Sequence, residues 1–243
     1  MTLPYAVSIR TRRRLHANTA WIEALTAHAR TRRASRGPDD PPADLLDLLV
    51  DAREDDALAF TDLEAAQSIS INLGNLYRVG GTGLAWLLAA HAAHDTARPD
   101  GIAREDWTGA VVKEVLRVYP AVTLTSRTLA DDAAFGDVIV PAGTSVYLSP
   151  LLLHTDPRWW RADPGRFDPA RWLAAEVHDP HAYLPYGAGP RRCTGDRLAN
   201  AVLESAADLL ADRRTTGSSG LPARRWGSVT QPRRLRISVA SAG

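Results

Sequence analysis

The only cysteine of the chain, Cys193, lies in the run Tyr186-Gly187-Ala188-Gly189-Pro190-Arg191-Arg192-Cys193-Thr194-Gly195, directly ahead of a helical pattern that begins near Asp196. Glycines at 187, 189 and 195 supply turn conformations that a Cβ makes costly, and they let a backbone approach a flat ligand closely. The arginines, with the free N–H groups at the start of the following helix, favour an anionic sulfur, the form that binds metal. Taken alone, a cysteine beside a glycine turn is also what an inert, buried thiol looks like.

The spacing of the rest of the chain separates these readings. Residues 107–119 place Val111, Val112, Val115, Leu116 and Tyr119 at helical intervals, and Pro120 stops the run. On that helix Glu114 and Arg117 share one face, which by itself describes a solvated ion pair worth a few tenths of a kcal/mol. Between the helix and the cysteine stand, in order, Ser126-Arg127, Val140-Pro141-Ala142-Gly143-Thr144, His154-Thr155-Asp156-Pro157 and Phe167-Asp168-Pro169-Ala170-Arg171-Trp172. Together with an aromatic-Gly-x-Gly-x-Arg-x-Cys-x-Gly loop, this succession resembles the cytochrome P450 family, with Tyr186 in place of the usual phenylalanine. The resemblance runs from about residue 44 to the C-terminus.

The resemblance implies a fold that is mainly α with small β-sheets (α+β), the C-terminal portion of the cytochrome P450 fold with its N-terminal part missing. It implies haem b bound by Cys193 as an axial thiolate, with Tyr186, Gly187, Gly189 and Gly195 forming the loop at the cofactor and Arg127 and Arg191 holding its propionates. It further implies that Glu114, Arg117 and Arg171 form a buried charge triad that pins the irregular segment before the loop. A carboxylate between two guanidiniums is physically reasonable, because arginine presents a planar fork of donors and keeps its charge when buried.

Beyond Cys193, Leu198, Ala199, Val202, Leu203, Ala206, Leu209 and Leu210 give an amphipathic helix, with Ala199 and Glu204 where the family carries them. Residues 232–239 alternate apolar and polar as a closing strand does.

Upstream, a basic run (Arg10, Arg12, Arg13, Arg14) precedes a helix through Trp21, Ile22, Leu25 and His28. SRGPDDPP over residues 35–42 reads as a linker, and a short helix begins at Asp44. The domain expectation is one truncated unit, 1–243, with an N-terminal helix and linker over 1–42 and a haem-binding core over 43–243.

Thr61-x-x-Glu64 is a capping box for a long, mostly buried central helix through Ile69, Leu73, Leu76 and on to residues 84–88. In the family an acid and a threonine on this helix deliver protons to the reacting oxygen. Here Arg78 and Val79 fall on those positions, with Asn75 and Leu76 before them; a shifted alignment offers Thr82 as the catalytic hydroxyl, with no carboxylate preceding it. Glycines 74, 80, 81 and 83 each weaken a helix by about 1 kcal/mol relative to alanine, so they call for close helix packing or a kink beside a flat cofactor.

The remaining groups are bland. His91 and His94 suit a helix end better than a metal, His178 and His181 suit a surface loop, and Gly217-Ser218-Ser219-Gly220 lacks a nucleophile elbow. With 29 basic against 28 acidic residues no global field favours nucleic acid. Arginine-rich, lysine-poor usage, with Lys113 the only lysine, points to a high-GC bacterial source. One cysteine excludes an internal disulfide, and no apolar run reaches about 18 residues, so a soluble, cytoplasmic protein is expected.

Two functional classes stand. One is a haem-thiolate monooxygenase acting on an unidentified small apolar molecule, fed electrons by a ferredoxin or a flavin reductase because no flavin or nicotinamide module is recognisable. The other is a catalytically impaired haem-binding remnant, or an accessory subunit of another protein. The complete motif set around Cys193 favours the first; the missing N-terminal segment and relay favour the second. Either way, uncovered apolar surface predicts a companion subunit or self-association.

Overall fold

The computed structural model describes residues 9–37, 39–51, 60–94, 96–160, 163–174, 179, 181–211, 213–217, 229–232 and 235–241. It forms two compact units, Met1–Tyr77 and Arg78–Gly243. The short helix expected from residue 44 belongs to the first.

In the first unit, α1 (Ile9–Ser35), α2 (Leu45–Asp51) and α3 (Asp62–Asn75) pack on one another. Ala29, Leu46, Val50 and Ala65 form their core. Asp47 is fully buried, yet it is satisfied by Arg32 at 2.7 Å, Arg36 at 2.9 Å and the Ala43 amide at 2.9 Å. A buried carboxylate is tolerated only with such partners. The capping box forms: the Thr61 hydroxyl accepts from the Glu64 amide and the Glu64 carboxylate accepts from the Thr61 amide.

After α3 the helix does not run on uniformly. Leu76–Gly80 is a π-helical turn, and α4 spans Gly81–Ala93. The central helix expected from periodicity therefore runs on through a π turn at its middle, but it is less buried than expected there, since Ile71, Leu73, Leu76 and Tyr77 are exposed. Of its glycines, Gly83 faces Leu203, which a Cβ there would meet at an ordinary contact distance of 3.5 Å, whereas Gly74 and Gly81 face open space. Gly80 ends the π turn, where a wider backbone is tolerated.

In the second unit, α4, α5 (Arg104–Val118) and α7 (Asp196–Leu210) enclose the main core. That core contains Trp86, Leu87, Trp107, Val111, Val115, Leu116, Tyr119, Phe167 and Leu203. Glu105 and Asp106 sit in the first turn of α5, where the dipole favours them, and the helix ends one residue before Tyr119-Pro120. Trp86 stacks on Tyr119 with ring centroids 5.0 Å apart.

The strands form three antiparallel ribbons: β1 (Thr125–Thr128) with β4 (Ser145–Leu148), β2 (Ala133–Phe135) with β3 (Val138–Val140), and β5 (Arg213–Gly217) with β6 (Ile237–Ser241). Gly136, at φ +60, makes the tight turn between β2 and β3. The closing strand thus begins at Ile237; Arg233 and Arg234 lie outside the described residues, as do Ser218, Ser219 and Gly220. A one-turn helix, α6 (Pro150–Leu153), leads into the segment that carries His154.

Candidate functional site

Glu114 projects from α5 into a fully buried position. Arg117, one turn later, is equally buried and donates through Nε to Oε2 at 2.8 Å and through its terminal nitrogen to Oε1 at 2.7 Å. Arg171 donates through Nε to Oε1 at 3.1 Å. The Asp168 amide reaches Oε1 at 2.7 Å, and the Trp172 indole N–H reaches Oε2 at 2.9 Å. Both oxygens are therefore held by charged and neutral donors, the condition under which a carboxylate survives burial.

The structure thus brings Glu114, Arg117 and Arg171 together through the 3-10 turn Pro169–Trp172, whose start is fixed by the Asp168 carboxylate accepting from the Ala170 amide. Arg117 uses its other N–H groups on main-chain carbonyls of the irregular segment. It donates to His154 at 2.8 Å, Pro164 at 2.6 Å and Arg166 at 2.9 Å. Its guanidinium carbon also lies 5.0 Å from the centre of the Trp160 ring. One side chain therefore ties α5 to three points of a stretch that has little secondary structure of its own.

From there a second set of bonds leads to the cysteine. The His154 ring accepts from the Leu184 amide at Nε2, 2.8 Å away. Leu184 O accepts from the Gly187 amide at 3.2 Å, and Tyr186 O accepts from the Cys193 amide at 3.0 Å. Gly187 and Gly189 have φ of +72 and +70, a region that side chains rarely adopt, and a Cβ on either would meet nothing within 4 Å. Open space thus lies over the loop where the backbone is most constrained. Cys193 is exposed, immediately before α7.

Burial first, and then the charge of Cys193, push the Tyr186 phenol up to about 12, so it stays protonated and donates to Asn200 at 2.7 Å. That bond anchors the loop to α7. His154 is held neutral with its pKa pushed down to about 4: burial dominates, and the Arg117 charge adds to it.

The other expected site residues lie apart from this chain of bonds. Arg127, on β1, is exposed and donates to Thr125 Oγ1 and Ser126 O. Arg191, in the 3-10 turn Gly189–Arg191, is exposed and makes no ion pair among the described residues. Arg192 is the arginine that pairs with α7, at 2.6 Å from Asp196. Thr82 is buried, and its hydroxyl donates to Arg78 O at 2.6 Å. Arg78 and Val79 both lie in the π turn. Among the described residues no hydrogen bond or ion pair joins Cys193 to Thr82, Arg127 or Arg191.

His91 donates from Nε2 to Leu210 O, its Nδ1 pairs with Thr96 Oγ1, and His94 pairs with the Tyr119 hydroxyl. His181 is exposed, and His178 lies outside the described residues. No group of three potential metal-ligating side chains of the His, Cys, Asp and Glu type occurs among the described residues.

Two participants escaped the sequence reading. Trp172 was only the end of a motif, and no spacing rule links an indole to a carboxylate 58 positions away. His154 stood in a recognised motif without a role, because its partner, the Leu184 amide, is main chain and leaves no mark in a sequence.

Residues 102–207 match a family model described as Cytochrome P450. Cytochrome P450 714C1 of Oryza sativa subsp. japonica is 32% identical over 177 residues, which cover 66% of this chain and 35% of that protein. Cytochrome P450 714B2 of the same plant is 37% identical over 103 residues, covering 42% of this chain and 19% of that protein. A crystal structure of a cytochrome P450 (CYP102L1) superposes with a TM-score of 0.79 at 19% identity, covering 99% of this chain and 60% of that one. The chain therefore spans about a fifth to a third of these curated relatives, and at 19% identity the superposition speaks to fold. The bacterial source expected from arginine usage has no support in these two plant relatives.

Proposed function

From the premise that the chain belongs to the cytochrome P450 family, whose members carry haem on a cysteine thiolate, we propose that it is a haem-thiolate protein of the monooxygenase type acting on a small apolar molecule. The observation that carries this reading is the exposed Cys193, set on a loop in which Gly187 and Gly189 hold positive φ beneath open space, while Gly195, at φ −91, has an ordinary conformation.

The residues present fit the group. Cys193 is an exposed sulfur donor, and a flat macrocycle needs the clearance that Gly187 and Gly189 leave. Bound haem supplies one-electron redox chemistry and activation of dioxygen, which the thiolate promotes by pushing electron density toward the iron.

Everything else is the work of the chain. Cys193 stands three residues ahead of the first residue of α7. Tyr186, protonated and bonded to Asn200, holds the loop against α7. Arg127 and Arg191 are exposed cations suited to carboxylates of the cofactor. The Glu114, Arg117 and Arg171 network fixes the segment that leads to the loop. Electrons come from a ferredoxin or a flavin reductase, and exposed apolar side chains such as Leu198, Val202 and Leu209 on α7 suit a companion subunit or a second copy. The setting is soluble and cytoplasmic; among the described residues no helix is long and apolar enough to cross a membrane.

One observation favours the alternative, a haem-binding chain that leaves oxygen activation to a partner or does without it. The Thr82 hydroxyl is engaged with Arg78 O, and Arg78 and Val79 occupy the π turn where an acid and an alcohol would serve proton delivery. An arginine does not donate a proton at neutral pH.

The deciding measurement is the absorption spectrum of the haem-supplemented protein, reduced and exposed to carbon monoxide. A red-shifted band that vanishes in Cys193→Ser is expected, and identical spectra for both proteins would overturn the ligand assignment. Product formation with a surrogate reductase then separates the monooxygenase from the alternative.

A further inference from the structure

We propose that His154 is a positioning residue for the cysteine loop, acting through its Nε2 as the acceptor that fixes the Leu184 amide and, through the turn that follows, the main chain of Cys193. The consequence at the sulfur rests on the haem-thiolate reading; the positioning of the loop does not.

The His154 ring is completely buried, which is an expensive place for an imidazole. Its Nδ1 has no hydrogen-bond partner among the described residues. Since Nε2 accepts from an amide, the neutral ring carries its proton on Nδ1. The ring therefore makes one hydrogen bond, and that bond is what an imidazole offers at this position that leucine or phenylalanine would not. An unsatisfied amide at Leu184 would pay the desolvation penalty of a stranded donor.

The acceptor is rigid. The His154 carbonyl is held by Arg117 at 2.8 Å and its amide by Pro150 O at 2.8 Å. Its ring lies against Tyr183, centroids 5.3 Å apart, and Tyr183 in turn lies 4.7 Å from Trp172, the indole that donates to Glu114. A fixed ring nitrogen thus sets Leu184; the Leu184 carbonyl closes a turn on Gly187, with Pro185 restricting the residues between; and Tyr186 O holds the Cys193 amide. Each hydrogen bond in this path from the buried charges to the cysteine is 3.2 Å or shorter.

The test uses His154→Leu, which keeps apolar bulk and removes the acceptor, and His154→Gln, whose amide oxygen reaches the place of Nε2. On the full chain without haem, amide exchange of Leu184 and Cys193 is expected to quicken by about tenfold or more in His154→Leu, with Val115 in α5 unchanged, and to return toward wild type in His154→Gln. On haem-supplemented protein, the share of the thiolate-type carbon monoxide band should fall by about half or more in His154→Leu and recover in His154→Gln.

Wild-type protection of both amides in His154→Leu would overturn the proposal. If that variant does not fold, His154→Gln decides alone: retained protection supports the acceptor role, and loss of protection at both amides defeats it. A wild-type protein with no thiolate band would sink the haem reading while leaving the exchange result to judge this one.

Discussion

The chain treats Glu114 and Cys193 in opposite ways. Glu114 is fully buried and surrounded by guanidiniums, an indole and an amide. Cys193 is exposed, and its recorded hydrogen bond is main chain, from its amide to Tyr186 O. The Glu114 charge is complete within the protein and serves to hold chain segments together. Cys193 is left exposed on a backbone that has been fixed from elsewhere, which suits the ligand role proposed for it. The energetic consequence is that the structure depends on Glu114, and the proposed haem attachment on Cys193.

The strongest way to break this contrast is at the buried end. Glu114→Ala strands the Arg117 guanidinium, which is 0% exposed, and removal of one partner of a buried pair costs about 3 to 5 kcal/mol. Urea unfolding should show a large loss of stability or no soluble protein; an unchanged midpoint would return Glu114 and Arg117 to an ordinary helix-surface pair.

Acid tests the link between the two regions. His154 has its pKa pushed down to about 4 from an ordinary value of 6.5, chiefly by burial, with Arg117 facing it as the charged neighbour and Tyr183 as the titratable one. As pH falls below about 6.5 the unfolded chain takes up the proton first, so stability is full above that pH and declines toward pH 4 by about 3 kcal/mol. Melting measured from pH 7 to 4 on wild type and His154→Gln should show a shallower decline in the variant; parallel curves would count against a buried neutral histidine.

A smaller effect sharpens the role of the indole. Trp172→Phe preserves the ring beside Tyr183 and deletes the donor to Glu114 Oε2, so a loss of about 2 kcal/mol is expected, the range for a hydrogen bond to a charged group. A change indistinguishable from zero would mean that Trp172 contributes packing alone.

At the exposed end, Cys193→Ser should change stability by less than about 0.5 kcal/mol, as surface substitutions do, while abolishing the red-shifted carbon monoxide band. A large drop in melting temperature of the haem-free variant would show that the sulfur is structural after all and erase the contrast with Glu114.

The sequence by itself determined the elements whose causes are local. The periodic apolar face and Pro120 delimited α5, Thr61 and Glu64 capped α3, and the glycines of the cysteine loop announced positive φ at 187 and 189. The resemblance of its motif order to the cytochrome P450 family implied the cysteine loop and the Glu114, Arg117 and Arg171 set as well; spacing alone read Glu114 and Arg117 as a solvated pair. What it could not give were contacts whose partner is backbone or far along the chain. The π turn at Leu76–Gly80 lies within a pattern that reads as one uniform helix, since apolar periodicity barely changes when a single turn widens.

Only the tertiary structure decided that Trp172 joins Glu114, that Arg117 also binds three carbonyls of an irregular segment, and that His154 receives the Leu184 amide. The physical reason is that a main-chain N–H or C=O is the same at every position. Which one a buried side chain meets is set by how the segments pack, so the partners of Cys193's loop could be found only once the chain had folded around it.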